Sequence, residues 1–384
     1  MMVKKTLLLY GVMAWGLLGL QCTGNSGHNR ATHGDGHPIT SEKATFRVDT
    51  LYPALENPWG MAWLDDGRLL VTERKGSIQV FENNTYTGSE LDGFPPVYEH
   101  GQGGLFDILP HPDYRSNGWI YATYAKPDDG GGSTALVRFR LTDNNISELE
   151  TLYQTTPLSA AGMHFGGRII FDREGYLYFT TGERGVKENA QDLTNDMGKI
   201  HRLHDDGRIP ADNPFVSTPG AKASIWSYGH RNVQGLAYDS TNNVIYASEH
   251  GPRGGDELNR IEKGKNYGWP VITYGIDYSG AIISDLTEKE GMEQPIHYWT
   301  PSIGASGLLY YTGSSFPEWQ GSLFSGALAL THIERVELKN GNYAHGEKLL
   351  QGIGRVRDVA QGPDGGIYVL TEDPGMLLRL TPAP

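Results

Sequence analysis

Three short segments each place side chains capable of chemistry directly ahead of an apolar run. They read GMHFGGR with His164, YGHRN with Arg231 and Asn232, and GRVRD with Arg355 and Arg357. A neutral imidazole can accept a proton near neutral pH, and guanidinium groups bind carboxylates through paired hydrogen bonds. The set therefore predicts a general base beside a planar ligand with several negative charges.

Each of these residues also has a structural interpretation. A single histidine such as His164 is often only a hydrogen-bonded part of the fold. Arg355 and Arg357 lie two residues apart on an expected strand, so their side chains point to the same face. Asp358 or Glu372 could neutralise them there by forming a salt bridge. The sequence alone leaves both interpretations open.

The segment ASEHGPRGGDELN, residues 247–259, concentrates glycine, proline and charge after a short apolar strand. Proline has no N–H and glycine has no Cβ, so both allow a backbone carbonyl to turn toward a ligand. Carbonyl oxygens are ligands that a hard cation prefers. Gly251 and Pro252 are therefore candidate ligands of such a cation.

A second cation site is a further interpretation of the same region. Glu257 and Asp277 lie on either side of the segment NYGWP and offer carboxylate oxygens. In the alternative interpretation, Asp256 and Glu257 cap a hairpin and pair with Arg253 or Arg260. Both interpretations remain open at this point.

A repeated pattern along the chain predicts the elements that hold these residues in place. Six segments, beginning at residues 57, 101, 164, 232, 304 and 355, share a small residue, an apolar strand, an Asp/Gly turn and a second strand. Their spacing of roughly 45 to 70 residues suits four-stranded blades with inserted loops. We expect an all-β fold, a six-bladed β-propeller of four-stranded antiparallel blades over residues 44–384.

The composition restricts the partners of the protein. The net charge of −13 and the lack of a Lys/Arg-rich run argue against nucleic acid as a partner. The N-terminus reads MMVKK followed by an apolar run that is short for a membrane span, as in an export signal over residues 1–21. The protein is therefore expected to be exported, either periplasmic or anchored as a lipoprotein that faces outside the cytoplasm.

The only cysteine of the chain, Cys22, follows the apolar run directly and is a candidate for lipid attachment. Simple secretion is the alternative. Residues 22–43 contain almost no apolar side chains, so we expect a disordered tether. On this interpretation the folded domain begins near Ala44, and the residues before it contribute nothing to folding.

The chain resembles the glucose/sorbosone dehydrogenase family, the soluble quinoprotein sugar dehydrogenases that use pyrroloquinoline quinone (PQQ). The resemblance runs from Phe46 to Pro382 and rests on NPWGMAWLDDGRLLVTER, GQGGLFDILPHPDY, HFGGRIIFDREGYLYFTTGERG, GKIHRLHDDGRIPADNPF, YGHRNVQGLAYD, SEHGPRGGDELNRIEKGKNYGWP and RVRDVAQGPDG, in that order. The EHGPRGGDE segment is most similar to the aldose sugar dehydrogenase branch, whose members accept various aldoses.

The resemblance implies roles for the residues introduced above. His164 would remove the proton from the anomeric hydroxyl of an aldose while hydride passes to the quinone, which gives a lactone. Arg231, with Asn232 beside it, would polarise the reacting quinone oxygen. Arg355 and Arg357 would clamp carboxylates of the cofactor.

The resemblance also implies two calcium ions. One would bind to the carbonyls of Gly251 and Pro252 and act as a Lewis acid on the quinone. Gln102 and His250 would line the same pocket. The ligands of the second, structural ion would be Glu257, Asp277 and the carbonyl of Tyr267.

The chain departs from the family pattern at two positions. Some members carry a cofactor-contacting lysine where SGALALTH has Ala329, which removes one charge partner of the quinone. The segment TTGERG has Glu183 where the family commonly has aspartate. A longer carboxylate must then reach His164.

Two functions of different classes follow from the sequence. The first is an exported aldose sugar dehydrogenase that depends on PQQ and Ca²⁺. The second is a non-enzymatic propeller of the same superfamily that binds a carbohydrate or a protein partner. A calcium-dependent hydrolase or lactonase would want several carboxylates at the channel mouth, whereas these segments are mainly basic and amide in character. The sequence leaves open which aldose is oxidised, which protein accepts the electrons and whether the chain forms a homodimer.

Overall fold

Six antiparallel sheets make up the part of the chain that this computed structural model describes, residues 36–383. Five sheets have four strands and one has five. The predicted six-bladed β-propeller is therefore confirmed, with an additional strand in one blade. The predicted signal segment 1–21, Cys22 and the tether up to residue 35 lie outside the described residues.

The strands follow one another around the propeller in chain order. The first described strands, β1 (Ile39–Thr40) and β2 (Thr45–Tyr52), belong to the sixth blade, which we call the closing blade. Blade one contains β3 (Pro58–Trp63), β4 (Arg68–Glu73), β5 (Ile78–Glu82) and β6 (Thr85–Glu90). Blade two contains β7 (Leu105–Pro110), the short helix α1 (Tyr114–Asn117), β8 (Ile120–Asp128), β9 (Gly131–Thr142) and β10 (Asn145–Gln154).

The remaining blades have the same order of strands. Blade three contains β11 (Ile169–Phe171), β12 (Leu177–Thr181), a 3₁₀ helix (Lys187–Gln191), β13 (Lys199–Leu203) and β14 (Ile225–Tyr228). Blade four contains β15 (Val233–Asp239), β16 (Val244–Glu249), β17 (Asp256–Ile261) and β18 (His297–Trp299). Blade five contains β19 (Ala305–Tyr310), a 3₁₀ helix (Pro317–Trp319), β20 (Leu323–Ala327), β21 (His332–Lys339) and β22 (Asn342–Leu349). The closing blade adds β23 (Val356–Gln361), β24 (Ile367–Glu372) and β25 (Gly375–Pro382).

The six sequence repeats correspond to the first two strands of each blade, from β3–β4 to β23–β24. The Asp/Gly turns between them require glycine, because Gly67, Gly175 and Gly365 have φ values of 91°, 81° and 76°. The propeller closes where β2 pairs with β25 in one sheet, so the first and last strands of the fold support each other.

The hydrophobic core is divided among the blade interfaces. Six buried apolar clusters each join strands of neighbouring blades, as where Leu70 of blade one packs in one cluster with Val137 of blade two. A blade has two apolar faces, so each must be covered by a neighbour. A smaller cluster of Trp59, Phe106, Ala125 and Phe165 lies apart from these six.

The predicted start of the fold at Ala44 is too late by several residues. Ile39–Thr40 pairs with β2, opposite Phe46 and Thr45. The backbone N–H of Glu42 donates to Glu347 Oε1 at 2.6 Å, and Lys43 Nζ lies 2.8 Å from Glu337 Oε1. Residues 39–43 are therefore part of the fold. Ile39 packs against a core cluster, and Glu42 and Lys43 add polar contacts to blade five that hydropathy does not reveal.

Within residues 36–383, no helix is both long and apolar enough to cross a membrane.

Candidate active site

Two neighbouring cavities lie among the loops that precede the first strands of the blades. All six blades contribute to the lining of the smaller one, about 120 Å³, which we call the axial cavity. The larger one, about 360 Å³, contains His164, Arg231 and Pro252 and is called the outer pocket. Gln102 lines both cavities. The predicted site residues from four of the six repeats are therefore brought together.

His164 sits in the turn before β11, with φ of 54°, and faces the outer pocket. Its Nδ1 lies 2.6 Å from Glu183 Oε2, and its backbone N–H donates to Gln102 Oε1 at 2.8 Å. With Nδ1 assigned as the proton donor to the carboxylate, Nε2 is the ring atom left free to accept a proton. The longer carboxylate of Glu183 thus reaches the imidazole.

The turn that carries Glu183 approaches His164 too closely for any side chain at Gly182. A Cβ on Gly182 would lie 2.1 Å from the carbonyl oxygen of His164. The next residue, Glu183, contacts the segment of Arg231, because its backbone N–H donates to the Arg231 carbonyl at 2.9 Å. The end of β12 therefore links the segments of His164 and Arg231.

Arg231 lines the outer pocket together with His164. Its Nη1 donates to the carbonyl of His250 at 3.2 Å, and its guanidinium lies 5.4 Å from the centre of the Trp269 ring. The backbone N–H of Arg231 donates to the carboxylate of Glu249, which His230 also contacts at 2.9 Å. A buried histidine–carboxylate pair thus fixes the main chain at Arg231.

Asn232 lines the axial cavity. Its Oδ1 accepts hydrogen bonds from the backbone N–H of Gly166 at 3.1 Å and from Gln234 Nε2 at 3.3 Å. The amide therefore also ties blade four to the turn that follows His164.

Arg355 and Arg357 lie on the same side, as predicted, and both line the axial cavity. Their salt-bridge partner is Glu372, not Asp358: Arg355 Nε lies 3.3 Å from Glu372 Oε2, and Arg357 Nε lies 2.8 Å from Glu372 Oε1. Burial alone would raise the pKa of Glu372, but Arg357 and Arg355 outweigh it and hold that pKa below its usual range. The salt bridge of the structural interpretation is therefore present, and it lies inside the cavity. Arg355 and Arg357 share the single carboxylate of Glu372.

The axial cavity retains polar groups without partners. Nε2 of His250 and Nε of Arg74 are buried and have no hydrogen-bond partner among the described residues. Burial, and then the charges of Arg357 and Arg231, lower the pKa of His250 well below its usual value, so its imidazole is neutral. Buried polar groups normally have partners, and three arginines here face a single carboxylate. The cavity fits an anionic ligand that accepts hydrogen bonds.

The loop Gly251–Gly255 is closed by Asp256. The carboxylate of Asp256 accepts the backbone N–H of Gly251 at 2.9 Å and that of Gly304 at 2.7 Å. A Cβ on Gly251 would lie 2.2 Å from the carbonyl oxygen of Gly255, so the loop tolerates only glycine at that position. The hairpin-capping interpretation is therefore borne out for Asp256, whereas Arg260 has Glu262 as its ion-pair partner at 3.7 Å.

The predicted second cation site is only partly assembled. Glu257 accepts a hydrogen bond from Asn259 Nδ2 at 3.0 Å, and burial, followed by repulsion from Glu249, raises its pKa to about 8. Asn259 Oδ1 is buried and has no partner among the described residues, which leaves an oxygen for a cation beside excess negative charge. Tyr267 is buried nearby in sequence, with its ring stacked on His230.

Asp277 has different neighbours from Glu257. Its carboxylate lines the outer pocket and lies 3.2 Å from Lys187 Nζ. Hydrogen bonds from Ser279 and the charge of Lys187 lower its pKa to about 2. We therefore leave Asp277 out of the cation site. Among residues 36–383 no three His, Cys, Asp or Glu side chains are grouped to hold a metal, so any cation there needs backbone or amide oxygens.

Sequence reasoning missed several residues of the site. The axial cavity is also lined by Trp59, Arg74 and Gln234, and the outer pocket by Trp269, whereas Glu372 was named only as a possible salt-bridge partner. One signal could have found some of them, because VTER, TTGER, ASEH and LTED occupy the same place, the end of the second strand, in four of the repeats. Residues at that place converge on the two cavities.

The comparisons with known proteins agree with this geometry. The profile of the glucose / sorbosone dehydrogenase family matches residues 55–379. Over 347 residues the chain is 42% identical to the aldose sugar dehydrogenase YliI of Escherichia coli (strain K12), covering 88% of this chain and 94% of that protein.

Solved structures give the same result. The fold matches the crystal structure of the soluble aldose sugar dehydrogenase from Escherichia coli in the apo-form with a TM-score of 0.85 and 40% identity, covering 88% of this chain and 100% of that one. It matches the PQQ-bound form of the aldose sugar dehydrogenase from Streptomyces coelicolor with a TM-score of 0.74 and 30% identity, covering 90% and 99% of the two chains. The chain belongs to the glucose / sorbosone dehydrogenase family.

Proposed function

We propose that the protein is a PQQ- and Ca²⁺-dependent aldose sugar dehydrogenase that oxidises the anomeric hydroxyl of aldoses to lactones. The observation that carries the proposal is the position of the His164–Glu183 pair in a pocket that adjoins an arginine-lined cavity. A base and a clamp for carboxylates are both needed for this reaction, and a module that only binds sugar needs neither.

The proton of the anomeric hydroxyl passes to His164 in this mechanism. Nδ1 remains bonded to Glu183 at 2.6 Å, so Nε2 accepts the proton and the carboxylate stabilises the imidazolium that results. Arg231 places a positive charge in the same pocket, where it would polarise the oxygen of the hydride acceptor as that oxygen gains negative charge. Trp269 and Tyr278 offer apolar surfaces against which a sugar ring packs.

Arg355, Arg357 and His250 would hold PQQ in the axial cavity, with Asn232 and Gln102 at its edge. When bound, PQQ supplies the acceptor for the hydride that leaves the anomeric carbon. Glu372 occupies the two arginines, so they must share their donors between it and the ligand. Arg74 adds a guanidinium that compensates for the lysine replaced by Ala329.

Two cations complete the proposed site. A Ca²⁺ ion at the carbonyls of Gly251 and Pro252 would supply a Lewis acid at the edge of the outer pocket. A second Ca²⁺ ion would bind to Glu257, the carbonyl of Tyr267 and the unpartnered Oδ1 of Asn259, where its charge offsets the repulsion between Glu257 and Glu249.

The protein also needs a route out of the cytoplasm and a partner for its electrons. We propose export, to the periplasm or to a lipid anchor at Cys22, on the basis of the charged and apolar sequence before that residue. The sequence has one cysteine, Cys22, and no C-x-x-C-H segment for haem attachment, and we leave the electron acceptor unassigned.

The test is reconstitution of the purified protein with PQQ and Ca²⁺, followed by an artificial-acceptor assay across a panel of aldoses. Activity that requires both PQQ and Ca²⁺ is the expected result. Tight sugar binding without oxidation in fully loaded protein would reject the enzyme and favour the alternative, a propeller that only binds carbohydrate. Failure to bind PQQ at all would favour a protein partner.

A further inference from the structure

Arg184 is a buried cation whose hydrogen bonds go to main-chain carbonyls, although the charge of the adjacent Glu183 also acts on it. Its side chain is 3% exposed, and among residues 36–383 no carboxylate lies within ion-pair distance of it. Its donors are taken by the main-chain carbonyls of Met163 at 2.6 Å, Ala161 at 2.5 Å, and Ser159 and Gly132 at 3.3 Å each. Burial lowers the pKa of Arg184 to about 10, so the group remains charged at neutral pH.

The contacts of Arg184 surround His164 on both sides in sequence. Three of the four carbonyls belong to residues 159–163, directly before His164. On the other side, the guanidinium lies 3.3 Å from the centre of the Phe165 ring. Arg184 thus contacts the turn that carries His164 both before and after that residue.

Arg184 and Glu183 are consecutive, and they act on the same turn in different ways. Glu183 contacts the imidazole of His164, whereas Arg184 contacts the main chain around it. Arg184 has φ of 62°, a conformation that costs a non-glycine residue energy, and His164 has φ of 54°. The two strained turns fit against each other, and the rigid fork of a guanidinium suits four fixed acceptors.

A merely structural residue at this position would not need a charge. Burying a cation costs desolvation energy, and an apolar side chain of similar size would fill the space without that cost. We propose that Arg184 is a positioning residue for the reaction, which holds the 159–165 turn so that His164 faces the outer pocket. This proposal rests on the proposed function.

The kinetic test compares Arg184→Ala and Arg184→Lys with Arg202→Ala in protein loaded with PQQ and Ca²⁺. Arg202 is a matched control, because it is 5% exposed and stacks on Tyr176 at 3.6 Å, but its hydrogen bonds go to Asp212 and Asn213, away from the 159–165 turn. We expect kcat of both Arg184 variants to fall by roughly 10- to 100-fold with little change in KM, since a misplaced base loses that much. Millimolar guanidinium should restore part of the kcat of Arg184→Ala and none of any loss in Arg202→Ala.

Wild-type kcat in Arg184→Ala would overturn the proposal. It would also be overturned if kcat fell equally in Arg184→Ala and Arg202→Ala and guanidinium did not restore it. If Arg184→Ala does not fold, Arg184→Lys decides the question, because its single ammonium cannot reach all four carbonyls. Amide hydrogen exchange separates this proposal from the proposed function, since it needs no turnover. Faster exchange at residues 161–166 in the Arg184 variant, but not in Arg202→Ala, supports the positioning role even if no aldose is oxidised, and equal exchange in the two variants rejects it.

Discussion

Glu183 Oε2 lies 2.6 Å from His164 Nδ1. The two turns that carry these residues approach so closely that Gly182, next to Glu183, has no room for a side chain. The same carboxylate oxygen accepts the backbone N–H of Gly185 at 2.7 Å. The Gly185 N–H therefore fixes the position of the carboxylate independently of its contact with the imidazole. The geometry leaves one ring nitrogen free and gives it a defined direction.

His164→Ala should abolish most of the turnover and leave cofactor binding intact. The reason is that the proposed cofactor contacts come from the arginines of the axial cavity, while a positioned base contributes roughly 10² to 10⁴ in rate. The measurement is kcat in protein saturated with PQQ, with PQQ affinity from a separate titration. His204→Ala is the control, because His204 lines neither cavity. Near-normal kcat in loaded His164→Ala protein would remove His164 from the mechanism.

Glu372→Gln should tighten PQQ binding and destabilise the protein that lacks PQQ. The carboxylate of Glu372 competes with the ligand for Arg355 and Arg357, and its removal leaves the buried Arg357 without a counter-charge. Calorimetric titration with PQQ and thermal melts of the ligand-free protein measure the two effects. We expect a several-fold decrease in Kd together with a lower Tm. Weaker binding would mean that Glu372 orients the arginines for the cofactor instead of competing with it.

The sequence predicted the blades better than it predicted the contacts inside the channel. The repeats are local patterns of strand, turn and strand, so each blade is visible on its own. The sequence did not predict whether Asp358 or Glu372 is the partner of Arg357, because the answer depends on which face of β23 each side chain occupies. Asp358 follows Arg357 directly and points to the opposite face, where Arg168 lies 3.0 Å away. Glu372 comes from the neighbouring strand β24, and only strand pairing brings it close.

The segment before Ala44 shows a second limit of sequence reasoning. Its few apolar side chains predict no core contribution, yet Glu42 and Lys43 pair with residues about 300 positions away in blade five. Such pairs depend on the closed ring, which places Glu42 and Lys43 beside β21 and β22. Hydropathy carries no information about them.

A chain that begins at Ala44 should melt below a chain that begins at Gly36. The truncation removes β1 and the contacts of Glu42 with Glu347 and His345, which leaves the buried Arg335 with fewer acidic neighbours. Several degrees of Tm is the expected loss, since about 1 kcal/mol shifts Tm by a few degrees in a domain of this size. Differential scanning calorimetry of the two chains measures it. Identical melts would restore the boundary at Ala44.

Glu257→Gln should weaken the stabilising effect of Ca²⁺. A cation that binds only the native state raises Tm by mass action, and Glu257 supplies the charged oxygen of the proposed second site. The measurement is the fall in Tm on chelation, compared between the wild-type protein and the variant. Asp277→Asn is the matched control, because Asp277 pairs with Lys187 and is left out of that site. A chelator response that is lost in Asp277→Asn and kept in Glu257→Gln would reverse the assignment.

Asp358→Asn should flatten the pH dependence of stability between about pH 4 and pH 7. Arg168 Nη1 lies 3.1 Å from Asp107 and 3.0 Å from Asp358, so one buried cation serves two carboxylates. Burial, and repulsion from Asp107, raise the pKa of Asp358 to about 7 although Arg168 opposes the shift. The folded protein then keeps a proton that the unfolded chain releases near pH 4, so this contribution is complete at low pH and is lost as the pH rises through 7, at most about 1.4 kcal/mol per pH unit.

Asparagine cannot titrate, so melts from pH 5 to pH 8 should show a smaller fall in Tm for the variant than for the wild type or for the exposed control Asp128→Asn. Parallel curves for all three proteins would show that Asp358 titrates with its ordinary pKa and that the buried triad does not share a proton.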